Sequence, residues 1–138
     1  MRHPLLDWPA LASDYARYHR SRGNQLCHLL GIPLIVFAVV AWTQWPAGNR
    51  VPLVAVVLPL YFLWDVRLGL QSAAVLAAMA ALAPLASPGG VFGAFAIGWL
   101  FQLAGHTFFE GQSPAFTRNL VHLLVGPAWL LRKATASR

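Results

Sequence analysis

Two polar groupings carry the residue types that could do chemistry here. The first is His19, Asn24 and His28, standing before a long apolar run; the second is Gln102, His106 and Glu110, closing another. Asn24 and His28 are four residues apart, as are Gln102, His106 and Glu110, so each set falls on one helix face. A neutral imidazole is the commonest metal ligand. Two or three of them, with open positions left for substrate and oxygen, suit iron or zinc catalysis. Each residue also has an ordinary structural use. Asn24 could cap a helix, Gln102 could bond between helices, and Glu110 could be solvated or could orient a histidine. His19 and His28 could face lipid headgroups, and His122 could be a satisfied buried histidine or a fourth ligand. The chemical reading therefore rests on convergence.

Convergence depends on the elements between. The chain has 138 residues, 58% hydrophobic and only 10% charged, against about 25% charged in soluble domains. This composition predicts an all-α integral membrane protein in one domain. The net charge of +6 does not imply nucleic acid, because the basic residues gather near the ends without an aromatic-interleaved stripe. That distribution follows the positive-inside rule. The lone Cys27 excludes an internal disulfide and CxxC-type metal or haem sites. Over the first two dozen residues the order of charged and apolar positions is not that of a cleavable signal peptide.

Residues 1–23 read as an interfacial segment, with a break at Arg22-Gly23-Asn24 and Asn24 as the next N-cap. On one straight helix His19 and His28 would face opposite sides, so a bend there would bring them together. Four apolar segments follow, at about 27–45, 51–64, 68–85 and 91–109. The second is short against the ~20 residues a span needs. Pro46-Ala47-Gly48-Asn49 and Ser87-Pro88-Gly89-Gly90 read as turns, and Asp65-Val66-Arg67 as a tight polar connection. A last helix opens at Ser113-Pro114, is interrupted at Gly126-Pro127, and is too short to span; it reads as interfacial or re-entrant. Gly98 and Gly105 would allow close helix approach. Four spans with both termini in the cytoplasm return His28 and His106 to one face. The membrane would be the inner one in a bacterium and the endoplasmic reticulum in a eukaryote.

Tyr18-His19, Asn24-x3-His28-x2-Gly31-x-Pro33 and Gln102-x2-Gly105-His106-x3-Glu110 with Pro114-Ala115 together resemble the Mpo1-like family of small membrane proteins. The resemblance covers about residues 15–131. It implies an iron(II)-dependent dioxygenase of 2-hydroxy fatty acids acting in α-oxidation, with His19, His28 and His106 as ligands to Fe(2+). His122 and the Arg132-Lys133 ending depart from the tail of eukaryotic members, which bears on substrate identity. A 2-hydroxy acid chelates iron through carboxylate and hydroxyl, and dioxygen takes up the four electrons released when carbon 1 leaves as carbon dioxide. Such a protein must also hold the carboxylate, for which Arg17, Arg20, Arg22 and Arg118 are the candidates, and must house the tail in an apolar chamber. Rival classes are a haem or quinone protein with two axial histidines, a non-catalytic helper or small transporter, and a zinc hydrolase, which lacks HExxH. A Soret band would favour the first and polar mid-span residues the second.

Overall fold

The computed structural model describes residues 4–44 and 53–136, and every regular element among them is helical. Asp7 caps α1 (Trp8–Ala16) by accepting from the Ala10 amide at 3.2 Å, and Trp8, Leu11 and Tyr15 form its buried face. Ser21 caps α2 (Arg22–Thr43) by accepting from the Asn24 amide at 3.1 Å. The expected break thus lies earlier, in residues 17–21, and Asn24 is not the cap but a residue of the first helical turn. Gly23 does not break the helix either. A side chain there would collide with the Phe109 ring, so the glycine seats that ring against α2.

Helix α3 (Leu53–Trp64) joins α4 (Val66–Leu82) through Asp65 alone, whose carboxylate accepts from the Leu68 amide at 2.8 Å. This is the tight polar connection the sequence predicts. A 3-10 turn (Ala83–Leu85) leads to α5 (Pro88–Ala104). Ser87 caps α5 and Pro88 opens it, so Ser87-Pro88-Gly89-Gly90 is a helix start rather than a free turn. Proline fits there because the first helical N–H has no partner anyway. Without a gap α5 widens into a π-helical turn (Gly105–Glu110), closed by Gly111 in the left-handed region at φ 62°. Helix α6 (His122–Thr135) begins eight residues later than Pro114 and runs through Gly126-Pro127 uninterrupted; Ala115–Thr117 form only a 3-10 turn. The predicted turn at Pro46–Asn49 lies outside the described residues.

Among the described residues, three segments are long and apolar enough to cross a membrane: Arg22–Thr43, Val66–Leu85 and Pro88–Glu110. The fourth apolar helix, α3, is shorter; at 1.5 Å per residue it covers about 18 Å of a ~30 Å hydrocarbon core. The polarity of this bundle is inverted. His19, Asn24, His28, Ser72, Gln102, His106 and His122 are buried, while Leu29, Leu63, Phe92, Leu100 and Phe108 are exposed. Lipid tails satisfy the exposed leucines, and the interior must satisfy the polar groups.

Helices α2 and α5 are the axis of the bundle. A Cβ on Gly31 would sit 2.7 Å from the Gly98 carbonyl oxygen, and one on Gly98 would sit 2.9 Å from the Gly31 carbonyl oxygen. Backbone meets backbone there, the close approach that small residues permit between membrane helices. About two turns further, Gly105 lies against the Asn24 side chain and Cys27. Two packed clusters mark the ends of the bundle. Trp8, Tyr15, Tyr61, Trp64, Leu68 and Val125 join α1, α3, α4 and α6 at the end where α2 begins. Ala38, Ala41, Ala83 and Val91 close together at the opposite end. The contact predicts that Gly98→Ala separates α2 from α5 and costs about 1–3 kcal/mol of stability. Thermal unfolding in detergent would show a lowered Tm, whereas Gly93→Ala, at a position with open space around it, leaves the Tm unchanged.

Candidate metal centre

Three imidazoles from three separate pieces of chain meet at the end of the bundle capped by α1 and α6. His19 comes from the link between α1 and α2, His28 from the second turn of α2, and His106 from the π-helical turn. One potential ligand nitrogen from each lies within 4.8 Å of the others. All three residues are about 2% exposed. The ring centroid of His106 is 4.8 Å from that of His19 and 4.9 Å from that of His28.

Backbone carbonyls fix two of the rings. His19 Nδ1 is 2.7 Å from the Tyr15 carbonyl oxygen, and His28 Nδ1 is 2.9 Å from that of Asn24. A carbonyl can only accept, so each Nδ1 carries the hydrogen and each Nε2 keeps its lone pair. Those two Nε2 atoms are 2.9 Å apart. Facing lone pairs at that distance repel unless a cation or a shared proton lies between them. Two ligands at right angles around one ion, each ~2.1 Å away, are about 3.0 Å apart, close to this spacing. His106 Nδ1 is buried with no hydrogen-bond partner. The donor set therefore fits a metal ion, and a histidine that bonds a carbonyl through its other nitrogen is the usual way to hold one. Burial, then the neighbouring His28, pushes the His19 pKa down from 6.5 to about 3. It is a neutral imidazole at physiological pH.

The remaining polar residues brace this cluster. Glu110 Oε1 accepts from the Ser21 amide at 2.6 Å and from Asn24 Nδ2 at 3.3 Å, tying the end of the π-turn to the start of α2. Asn24 Nδ2 also donates to the Tyr18 carbonyl at 2.9 Å, and Gln25 Nε2 donates to the His19 carbonyl at 2.7 Å. The Tyr15 ring stacks on His19 at 3.9 Å. Tyr15, Ser21 and Gln25 are structural partners that the two polar groupings did not reveal. The four-residue spacing of Tyr15 and His19 was the available signal for the first.

A cavity of about 80 Å³ opens on the histidines, with Tyr15, Gln102 and His122 also on its wall. Volume measured this way holds one water per ~10–15 Å³, so there is room for several heavy atoms. Gln102 Nε2 is buried without a partner. Burial raises the Tyr15 pKa, so its hydroxyl stays protonated and can donate. His122 is buried but stands outside the three-histidine group, with Nε2 3.1 Å from Asp14 Oδ2 and its ring edge toward Tyr15. Arg20, Arg22 and Arg118 are exposed, and none of them lines this cavity. Arg17 lies 3.9 Å from Asp14.

A larger, apolar cavity of about 390 Å³ adjoins the first along α2. The two share Ile32, Ile35, Val36, Trp99, Leu123 and Pro127. A metal-capable pocket thus lies against an apolar chamber inside a membrane bundle, with six side chains common to both.

The model of the family described as 2-hydroxy-palmitic acid dioxygenase Mpo1-like matches residues 8–138. The chain belongs to the Mpo1-like family. A Saccharomyces cerevisiae member, named 2-hydroxy-palmitic acid dioxygenase MPO1, is 30% identical over 130 residues, covering 88% of this chain and 75% of the yeast protein. No solved structure matches.

The bracing role of Glu110 has a measurable consequence in this family member. Glu110→Ala frees the end of the π-turn from α2 and is expected to weaken metal binding by about tenfold, the lower part of the range for supporting residues. Competition with a chelator would read the change, and Glu110→Gln, which keeps an acceptor oxygen, is expected to recover part of it.

Proposed function

We propose that the protein is an iron(II)-dependent dioxygenase that shortens 2-hydroxy fatty acids by one carbon. The observation that carries this reading is the junction of the two cavities: three buried histidines on one side and an apolar chamber on the other. A 2-hydroxy fatty acid has the matching shape, a chelating head on a long apolar tail. The name of the yeast relative supports the same substrate class and reaction type.

His19, His28 and His106 would hold the iron, which supplies the redox chemistry and the meeting point for acid and dioxygen. Three protein ligands leave open positions, as in other oxygen-using mononuclear sites. The overall reaction balances: one 2-hydroxy acid and one dioxygen give one acid a carbon shorter, one carbon dioxide and one water. The bond between carbons 1 and 2 breaks, and no further reductant is consumed.

The chain's own groups do the rest. Tyr15, Gln102 and His122 face the pocket that would hold the carboxylate and hydroxyl. They take the place first expected of the arginines, which lie away from it. In a water-poor pocket a buried amide and phenol suffice to orient a head group, and leaving them unpaired would cost about 1–3 kcal/mol each. Asn24 and Glu110 hold the start of α2 and the π-turn in register, so the three histidines stay converged. The apolar walls exclude water from the reacting carbons.

Oxygen uptake and carbon dioxide release by anaerobically purified, ferrous-loaded protein test this reading. A 2-hydroxy fatty acid should give equimolar oxygen loss and carbon dioxide gain, and the unsubstituted fatty acid neither. His106→Ala should abolish both. Turnover that survives in His106→Ala, or oxygen uptake with no carbon dioxide, would refute it.

A further inference from the structure

The apolar chamber has a direction and an end. The shared wall residues Ile32, Ile35 and Val36, which follow His28 of the histidine pocket on α2, mark its head, followed by Val39, Val40 and Thr43. Helix α5 runs the opposite way and lines the chamber first with Trp99 and then with Phe95. Helix α4 enters near the head, where Leu68 packs with Trp8 and Tyr15, and passes Ser72 and Val75 before reaching Met79. Thr43, Val54, Met79 and Phe95 are thus the deepest described lining residues. Alongside them is the packed cluster of Ala38, Ala41, Ala83 and Val91, against which Phe95 and Trp42 pack with ring centroids 4.7 Å apart.

The geometry points to this ring of four residues as the device that sets the upper limit on substrate chain length. This rests on the histidine pocket being the site of the 2-hydroxy acid head. At 1.5 Å per residue, Thr43 is about 22 Å further along α2 than His28. An extended chain advances about 1.2 Å per backbone bond, so that length accommodates roughly 18 bonds. The volume agrees. A dry cavity of ~150 Å³ holds one benzene ring, and this chamber of about 390 Å³ has room for a much longer hydrocarbon. Each methylene added to an acid gains about four-fold in affinity while the chamber can still bury it. The gain stops when the tail meets the ring.

Val39 stands part-way down, about 16 Å beyond His28 on the same reckoning. Filling the chamber there removes about 6 Å of depth, or roughly five bonds. Val75 offers a second position on the facing wall.

The experiment measures a homologous series of 2-hydroxy acids against wild type, Val39→Phe, Val75→Phe and Phe95→Ala. Two readouts run in parallel: oxygen uptake, and displacement of a spin-labelled fatty acid from ferrous-loaded protein. The expected result is an optimum at long chains in the wild type. It should move about five carbons shorter in Val39→Phe, move shorter in Val75→Phe, and move longer in Phe95→Ala. If no acid is turned over but the binding optimum still moves in this way, the ruler stands and the dioxygenase reading falls. A length profile that is flat, or the same in wild type and in each variant that folds, overturns the ruler whether or not turnover is seen.

Discussion

Two imidazole nitrogens 2.9 Å apart, each with its hydrogen committed to the opposite side of the ring, are the constraint on which the structure turns. In water such a pair would separate. Here the carbonyls of Tyr15 and Asn24 hold the rings, and the helices that own those carbonyls are held in turn. Glu110 draws the end of the π-turn onto Ser21 and Asn24, and that same turn delivers His106. The cluster is strained as a set of neutral bases and relaxed as a set of ligands, which is the reason to read it as a metal centre.

Membrane burial makes that arrangement affordable. A soluble domain of this size would bury leucines and expose histidines; this bundle does the reverse along its spans. Glycines at 31 and 98 let α2 and α5 touch through their backbones, and Gly105 lets the π-turn seat against Asn24 and Cys27, so the elements that carry most of the site are closely packed. The same crossing leaves the apolar chamber on its flank, beside the polar pocket. The polar pocket and the apolar chamber are therefore both consequences of one helix pair.

Much of this was legible in the residues because helical spacing is local. The four-residue intervals of Asn24 and His28, and of Gln102 and His106, predicted shared faces that the structure has. The helical membrane bundle followed from composition. What could not be read depended on non-local or non-standard backbone. Ser21 and Asn24 are equally good caps, so the sequence could not decide between them, and the break was placed too late. Nothing in Gly105–Glu110 announces a π-turn, yet that turn sends Glu110 toward Ser21 instead of along the His106 stripe. Arg20, Arg22 and Arg118 have the right charge for a carboxylate, but sequence carries no measure of depth, and they face outward. Tyr15 and His122 do line the pocket, but their place there depends on α1 and α6 closing over the bundle, which local spacing does not reveal.

The claim that decides the account is that His19, His28 and His106 bind one metal ion together. Elemental analysis of protein purified without oxygen and loaded with ferrous iron, wild type beside His19→Ala, His28→Ala and His106→Ala, addresses it directly. The account predicts near-stoichiometric iron in the wild type and loss of it in each of the three variants, with His122→Ala retaining its metal. Iron absent from the wild type, or kept in all three variants, would contradict it.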